Sequence, residues 1–413
     1  MKKRCIFLLT LLLGSALGAF GNGYQVTLKS ARQTAMGNSG TALAFDASAI
    51  FFNPGALGFH KQNSINVGAS FVTPNIKYVG PGTSTYTAES AATVSTPFYL
   101  FGSYGINEKL TVGLGVFTPF GSTVKWEDGW AGQTALQQLS LAVFYVQPTV
   151  SYKITDQLSV GAGVDFAFGS VNLQRAVPFA DQSTGQLIDS ELDGSAKMGI
   201  GFNLGVYYQP SDKISIGINY RSQVDVEVED GDATFTAPPG LQPLLPNTTF
   251  NAALPMPAVF AIGVGVFPTE KLRLTAQFDF IEWSSYKELR IDFAQPVGGA
   301  DASVSERNYK NTIALRIGAE YDVTEAFSVR AGFYFDGTPV EDGYMTPETP
   351  DSDSYVPTLG AGYKLSEKFS IDAYFMLITR PERYNEAIPA AQNISGTYQV
   401  RNPVYGFGLN YNF

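Results

Sequence analysis

The last nine residues, YGFGLNYNF (405–413), decide the fold class. Aromatic or aliphatic residues alternate here with glycine or asparagine, and the last of the apolar residues is Phe413. A period of two is typical of a β-strand with one apolar face and one polar face. Because no polar tail follows, the sequence predicts a strand whose apolar face is covered by something other than the rest of a soluble core.

The same alternation recurs upstream and is interrupted by short polar turns. These turns are INEKL (106–110), ITDQL (154–158), PSDKI (210–214), PTEKL (268–272), VTEAF (323–327) and LSEKF (365–369). Short turns at one end of the strands and long loops at the other are typical of outer-membrane barrels. Six turns join twelve strands, SINVGASFV (64–72) precedes them, and the terminal strand follows. The sequence therefore predicts a 14-stranded antiparallel transmembrane β-barrel over residues 63–413, of the all-β class.

Strand parity predicts which side chains face the lipid. Arg316 and Glu320 alternate with Ile313, Leu315 and Ile317. Arginine on the lipid face near the bilayer midplane costs about 2–4 kcal/mol, so the charged set should face the lumen. A soluble β-sandwich would show the same alternation with its apolar face inward. The two-ended asymmetry of the turns argues against that alternative.

The N-terminal residues 1–21 have the pattern of a secretory signal peptide. Three basic residues precede the short apolar run CIFLLTLLL (5–13), and small residues follow it. The run is too short for a membrane-anchoring helix, and cleavage after Ala19 or Gly21 would fit. Cys5, the only cysteine, would be removed with it. Loss of residues 1–21 removes three of the 27 basic residues and none of the 37 acidic ones, which leaves a net charge of −13 and argues against a nucleic-acid partner.

Residues 22–62 show no strand alternation and contain several large apolar side chains. They include short stretches with helical potential, interrupted by glycine and proline. A barrel of 14 strands is too wide for its own inward side chains to fill. We therefore expect this segment to form a small N-terminal helical hatch, or plug, inside the lumen. A disordered periplasmic tail would fit poorly with so many clustered aromatic residues.

The mature N-terminal sequence resembles that of the FadL/TodX family of outer-membrane transporters for long-chain fatty acids and aromatic hydrocarbons. The resemblance rests on an early aromatic residue, a D-A-S tripeptide and an N-P turn, followed by TPFGSTVKWEDGWAGQ (118–133). The corresponding hatch residues are Tyr24, Asp46, Asn53, Pro54 and Gly55, of which Gly55 replaces the usual alanine. The resemblance implies that Tyr24 and the Asn53-Pro54 turn hold the lumen closed.

The third strand contains Pro119, which cannot donate a hydrogen bond to a neighbouring strand. In the family, a kink in the third strand makes a lateral opening to the membrane. The resemblance places Pro119, Phe120 and Gly121 near such an opening. The alternative is a proline that merely ends a strand at the outer rim.

Hydrophobic residues in the long loops suggest where a ligand is first captured. The predicted fourth outer loop (234–257) is rich in leucine and proline, and we expect its apolar side chains to form an exposed patch. The predicted capture residues are Trp126, Trp130, Leu241, Leu244, Leu245 and Phe250. A fatty carboxylate would need a buried cation, for which Arg175, Arg221 and Arg316 are candidates. Each could equally form a structural ion pair in the lumen.

These patterns predict a bacterial outer-membrane, multi-pass barrel that takes up hydrophobic molecules. Long-chain fatty acids or related lipids are favoured over aromatic hydrocarbons, and a nonspecific porin or a surface adhesin are the remaining alternatives. An enzyme is disfavoured because the only histidine, His60, falls between hatch and barrel, and no motif for a metal or other cofactor is present. We expect a monomer surrounded by outer-membrane lipid, with Phe413 resembling the terminal signal that barrel-assembly machinery reads.

Overall fold

The computed structural model describes residues 23–60, 62–91, 94–180, 185 and 187–413. The predicted signal peptide lies outside the described residues, as does the first residue of the predicted hatch. Within the described ranges, no helix combines the length and the apolar character needed to cross a membrane.

Fourteen antiparallel strands form a closed wall, which confirms the predicted barrel. They are β1 Ser64–Val72, β2 Phe98–Gly105, β3 Leu110–Lys125, β4 Gln138–Lys153, β5 Leu158–Ala180, β6 Gly199–Ser211, β7 Ile214–Arg221, β8 Val259–Val266, β9 Leu272–Ile281, β10 Thr312–Asp322, β11 Phe327–Asp336, β12 Ser354–Lys364, β13 Phe369–Asn385 and β14 Gly396–Asn412. Each pairs with the next, and β1 pairs with β14 from Ser64↔Asn412 to Val72↔Val404, which closes the sheet. All six predicted turns join the expected strands.

The two faces of the wall follow the predicted parity. In β10, Arg316 and Glu320 are buried in the lumen, whereas Leu315 and Ile317 are 49% and 57% exposed on the outside. In β14, Tyr405 and Phe407 are exposed on the same outer side. The outer face is therefore apolar where lipid covers it, and the charged residues of the wall are kept inside.

The outer ends of several wall strands continue into a second structured layer, which we call the crown. It consists of seven further strands: Ile76–Val79, Thr87–Glu89, Leu187–Ser195, Val224–Phe235, Thr248–Met256, Glu288–Val297 and Ala300–Glu306. Two single 3₁₀ turns, Trp283–Ser285 and Pro389–Ala391, lie in the same layer. The predicted fourth outer loop is thus β-structure at its two ends, 234–235 and 248–256, which pair with the strands 187–195 and 288–297, and turns occupy its middle.

Residues 23–60 occupy the lumen and are called the hatch. The hatch contains α1 Ala31–Ala35, α2 Ala49–Phe52 and the 3₁₀ helix Pro54–Phe59. Its backbone approaches the wall closely because inward positions of the wall carry glycine. A Cβ atom at these positions would overlap the hatch: Gly161 and Gly205 against the Asn53–Gly55 turn, Gly217 against Thr41, Gly318 against Met36, and Gly332 and Gly360 against Ala35–Gly37.

Candidate ligand cavity and lateral gap

The Asn53-Pro54 turn is fixed to the wall by the Asn53 side chain. Its Nδ2 donates to the carbonyl oxygens of Thr41 at 2.8 Å and Val206 at 3.0 Å, and its Oδ1 accepts from the Gly55 amide at 2.9 Å. A Cβ atom at position 55 would lie 2.9 Å from the carbonyl oxygen of Gly205. The departure from alanine at Gly55 therefore has a steric reason in this chain.

The hatch is also held by charged side chains. Arg32 donates two hydrogen bonds to Glu320 in β10, at 2.6 and 2.8 Å. Glu320 additionally accepts from Arg273 at 3.0 Å and Arg330 at 2.6 Å. Asp46 plays a local role, since its Oδ1 accepts from the Ser48 amide before α2. One buried carboxylate thus joins a hatch arginine to two wall arginines.

The N-terminal end of the hatch pairs with β3 where that strand is irregular. The register between β3 and β4 shifts between Phe117 and Phe120, around Pro119. There the Val26 amide donates to the Pro119 carbonyl at 2.8 Å, and the Gly121 amide donates to the Tyr24 carbonyl at 3.1 Å. The hatch therefore supplies backbone partners at the kink that a regular neighbour would otherwise provide.

A gap in the wall lies beside this kink. Pairing of β2 with β3 stops at Tyr99↔Phe117, and above the gap the Ala91 amide donates to the Lys125 carbonyl. Between these two points, the described parts of 94–98 and 118–124 share no backbone-to-backbone hydrogen bond, although the Thr118 hydroxyl accepts from the Phe98 amide and donates to its carbonyl. A cavity of about 590 Å³ occupies the gap and is lined by Val94 and Phe98 on the membrane side and by buried Tyr334 and Met376 inside.

A second cavity, of about 110 Å³, lies between Tyr24 and the inner face of the crown. Its wall is almost entirely apolar. It is lined by side chains that include Leu139, Leu141, Leu173, Leu192, Val226, Phe250, Leu254, Leu289 and Ile291. We call it the crown cavity. Its polar boundary is formed by Arg307, Glu348, Thr349 and a few serines.

Aromatic rings surround Tyr24 at the base of the crown cavity. The ring centroid of Tyr24 lies 4.7 Å from Trp283 and 5.7 Å from Tyr286, both with edge-to-face geometry. The Tyr24 hydroxyl donates to the Pro255 carbonyl at 2.5 Å. Tyr24 thus connects the hatch, the crown cavity and the kinked strand.

Arg307 is the cation at the crown cavity, and the sequence did not single it out. Its Nη2 donates to Glu348 at 2.5 Å and its Nε to the Tyr286 hydroxyl at 3.2 Å. Its Nη1 is buried and has no hydrogen-bond partner within the part of the chain that the structure describes. A buried guanidinium with an unpaired donor, facing an apolar cavity, is suited to bind an anionic head group.

The three predicted carboxylate-binding arginines have different surroundings. Arg221 contacts Asp165 at 2.5 Å, and Arg316 contacts Asp279 at 2.6 Å and Asp336 at 2.8 Å. These two have acidic partners within the protein. Arg175 instead donates to Gln392 at 2.8 Å and Ser303 at 3.0 Å, both neutral.

The prediction that the capture residues form an exposed patch is wrong. Trp126 and Trp130 are buried and stacked on each other, with ring centroids 4.2 Å apart. Leu245 and Phe250 are also buried, Leu241 is half-buried, and Leu244 is exposed. The physical reason is packing: Phe250 lies in a crown strand, whereas Trp130, Leu241 and Leu245 lie in turns and loops that fold back onto hydrophobic clusters of the crown.

Comparison with known proteins identifies the family. The sequence model described as "Outer membrane protein transport protein (OMPP1/FadL/TodX)" matches residues 12–413. The chain belongs to this family. Its similarity to the "47 kDa outer membrane protein" of Pasteurella multocida is 28% identity, over 90% of this chain and 89% of that protein. It is 22% identical to the "Long-chain fatty acid transport protein" of Escherichia coli O6:H1, over 96% of this chain and 95% of that protein.

Solved structures of family members share the fold. A Pseudomonas aeruginosa FadL homologue superposes with a TM-score of 0.84 and 21% identity, covering 95% of this chain and all of that one. The Pseudomonas putida toluene transporter TodX superposes with a TM-score of 0.71 and 17% identity, covering 95% of this chain and 99% of that one. As a member of the OMPP1/FadL/TodX family, the protein is an outer-membrane transporter of hydrophobic compounds. Among the described residues, no group of three or more His, Cys, Asp or Glu could hold a metal ion.

Proposed function

We propose that this transporter takes up long-chain fatty acids or related amphiphiles, which bind in the crown cavity with the carboxylate on Arg307. The observation that carries the proposal is the buried, unpartnered Nη1 of Arg307 beside an apolar cavity. A carboxylate there would gain a charge-assisted hydrogen bond, and the acyl chain would leave water. The long-chain fatty acid transport protein among its relatives supports this cargo.

The local charge balance also favours an anion. Arg175 and Arg307 are close enough to influence each other electrostatically, and Glu348 is the acidic group that acts on both. Arg175 is half-buried and has no acidic hydrogen-bond partner among the described residues, which is costly for a guanidinium. One bound carboxylate would balance the second cation. Arg307 also has an acidic partner, Glu348, but it lines the crown cavity, which Arg221 and Arg316 do not. Arg316 likewise has a buried Nη1 without a partner among the described residues, but it already contacts two aspartates.

Release would follow the gap in the wall. Phe120 and Gly121 line the cavity in the gap, next to Pro119, and its outer mouth is lined by exposed apolar side chains. A fatty acid leaving sideways would avoid transfer of its chain into periplasmic water. The hatch residues Tyr24, Asp46, Asn53, Pro54 and Gly55 would meanwhile keep the axial path closed.

Aromatic hydrocarbons are the second candidate cargo. The edge-to-face rings of Tyr24, Trp283 and Tyr286 form a surface that an arene could join, and toluene transporters share the fold. An arene would not need Arg307. The two cargoes therefore differ in their dependence on this cation.

Ligand capture and barrel assembly would involve residues outside the gap. Leu244 is exposed on the crown, and Phe250 lines the crown cavity. A ligand would therefore pass from the surface around Leu244 into the cavity beside Phe250. Phe413, whose amide donates to the Asn63 carbonyl, would be read by assembly machinery. We propose a non-catalytic, monomeric barrel in outer-membrane lipid.

The test begins with native mass spectrometry of the protein purified in mild detergent, which should detect a co-purified fatty acid. Uptake of labelled oleate should then fall at least tenfold in Arg307→Met cells, while toluene uptake is unchanged. Arg290→Met, an exposed arginine of the crown, is the matched control. Equal oleate uptake by wild-type cells and by cells lacking the protein would remove the fatty-acid proposal. Loss of oleate uptake in Pro119→Val alone would tie transport to the gap.

A further inference from the structure

Three cations form a patch on the outer surface of the barrel, which we call the basic rim: Lys77, Lys125 and Arg401. All three side chains are exposed. The described residues provide no ion pair to any of them. Two exposed carboxylates are near: Glu89 is the strand partner of Lys77, and Glu127 follows Lys125 by two residues, beside the Ser90↔Trp126 bridge. The three cations outnumber these two carboxylates.

Strand pairing brings the basic rim together on one face. Residues 76–79 pair with 397–400 on one side and with 87–89 on the other. The Arg401 amide donates to the Asn75 carbonyl, and the Ala91 amide donates to the Lys125 carbonyl. Each cation is on the face opposite its buried neighbours, such as Tyr78 beside Lys77 and Val124 beside Lys125. The three side chains therefore point outward from neighbouring strands of one small sheet.

The basic rim lies just above the apolar surface that faces the membrane. On β14, Arg401 is on the same face as Tyr405, four residues away, or about 13 Å along the strand. The small sheet also forms the upper border of the gap, whose mouth is lined by Val94 and Phe98. Cations just above the lipid-facing surface are at the level expected for the head groups of the outer leaflet.

Elsewhere the crown carries the opposite charge. Exposed carboxylates occupy the outward positions of the strands 187–195 and 224–235: Asp189, Glu191, Asp193, Asp225, Glu227 and Asp232. Asp193 and Asp232 are even direct strand partners. An anion would be repelled by these carboxylates and attracted by the basic rim.

We propose that the basic rim binds the phosphorylated head group of an outer-leaflet glycolipid, with the lipid's acyl chains lying across Val94 and Phe98. Phosphate groups are the anions available at this height in an outer membrane, and Lys and Arg bind them through charge-assisted hydrogen bonds. The bound lipid would cover the mouth of the gap. The proposal rests on the location of the protein and not on the identity of its cargo.

The test uses the full mature protein in nanodiscs and diphosphoryl lipid A as the probe. The variant Lys77→Gln/Lys125→Gln/Arg401→Gln should lose roughly fivefold in affinity per removed cation, or on the order of 100-fold at low salt. The matched control is Lys109→Gln/Lys213→Gln/Lys368→Gln, which removes three exposed lysines at the opposite turns. The control should bind lipid A as the wild type does, and both variants should keep the heat-modifiable gel shift of a folded barrel.

Fully dephosphorylated lipid A separates the head group from the acyl chains. It should bind wild type and the basic-rim variant equally weakly. Equal binding of diphosphoryl lipid A by wild type and the basic-rim variant would overturn the proposal, as would an equal loss in the control variant. Equal binding of the two lipid forms by wild type would also overturn it, because the phosphates would then contribute nothing.

Discussion

The Val26 amide donates a hydrogen bond to the Pro119 carbonyl at 2.8 Å, so the hatch takes part in the hydrogen bonding of the wall. The neighbouring Lys29 donates from Nζ to the Thr118 carbonyl at 2.6 Å, on the other side of the proline. Both acceptors are backbone groups at the kink, where β2 no longer pairs with β3. The hatch and the gap are thus one structural unit.

The substitution Val26→Pro should loosen this unit, because it removes the donor to Pro119. A buried carbonyl that loses its partner costs about 1–3 kcal/mol. We expect faster protease cleavage of the N-terminal segment in detergent, and larger conductance in planar bilayers. Val26→Ala keeps the amide and should differ little from wild type. If both variants behave as wild type, the N-terminal segment does not depend on this bond.

Gly217→Ala should displace the hatch, since its Cβ atom would overlap the Thr41 carbonyl. The neighbour is backbone and cannot rotate away, so a cost of about 1–3 kcal/mol is expected. Single-channel conductance to small ions should rise. Gly102→Ala, which has nothing within 4 Å of the added carbon, is the matched control. Unchanged conductance in Gly217→Ala would show that the hatch can shift without opening a path.

Glu320→Gln should destabilise the hatch more than Arg32→Met does. The first change leaves three arginines without their shared carboxylate, whereas the second leaves Glu320 with Arg273 and Arg330. Breaking a buried ion pair from one side costs about 3–5 kcal/mol. Urea unfolding in lipid vesicles, followed by tryptophan fluorescence, measures the difference. Arg290→Met breaks only an exposed pair and should change little. A milder effect of Glu320→Gln would contradict this order.

The crown should lose stability as pH rises, through Asp353. Burial, and then the nearby Asp351, raise the pKa of Asp353 to about 7, from 3.8 for an ordinary aspartate. The folded protein therefore binds a proton that the unfolded chain releases between about pH 4 and 7, and its stability falls across that range. Asp353→Asn should be more stable than wild type at pH 8, and the advantage should vanish at pH 4.

Thermal unfolding of both proteins at the two pH values tests this expectation. The exposed Asp301→Asn change is the control and should give no pH-dependent difference. An advantage of Asp353→Asn that is equal at pH 4 and pH 8 would show that a proton is not involved.

The wall could be predicted from the sequence because lipid imposes a strict rule on alternate residues. An arginine such as Arg316 can occupy one face and an isoleucine such as Ile317 the other, so parity alone assigned them correctly. The turns repeat for the same reason, since each must reverse the chain within a few residues.

No comparable rule applies above the membrane. Phe250 belongs to a strand, but most of its neighbours there are half-buried on both faces, so their sequence carries no clear alternation. Arg307 gave no signal because its role depends on contacts with Tyr286 and Glu348, which come together only in the folded chain. Burial of Trp126 and Trp130 was missed for the same reason.

The pairing of residues 24–26 with residues 119–121 has a consequence for the order of assembly. The partners of these residues exist only after β3 has formed with its register shift against β4. Residues 24–26 precede these partners in the chain and are synthesised before them, but they can pair only once β3 is in place. Until residues 24–26 pair, the backbone groups of Pro119 and Gly121 lack these partners, so completion of the wall at the kink depends on the hatch.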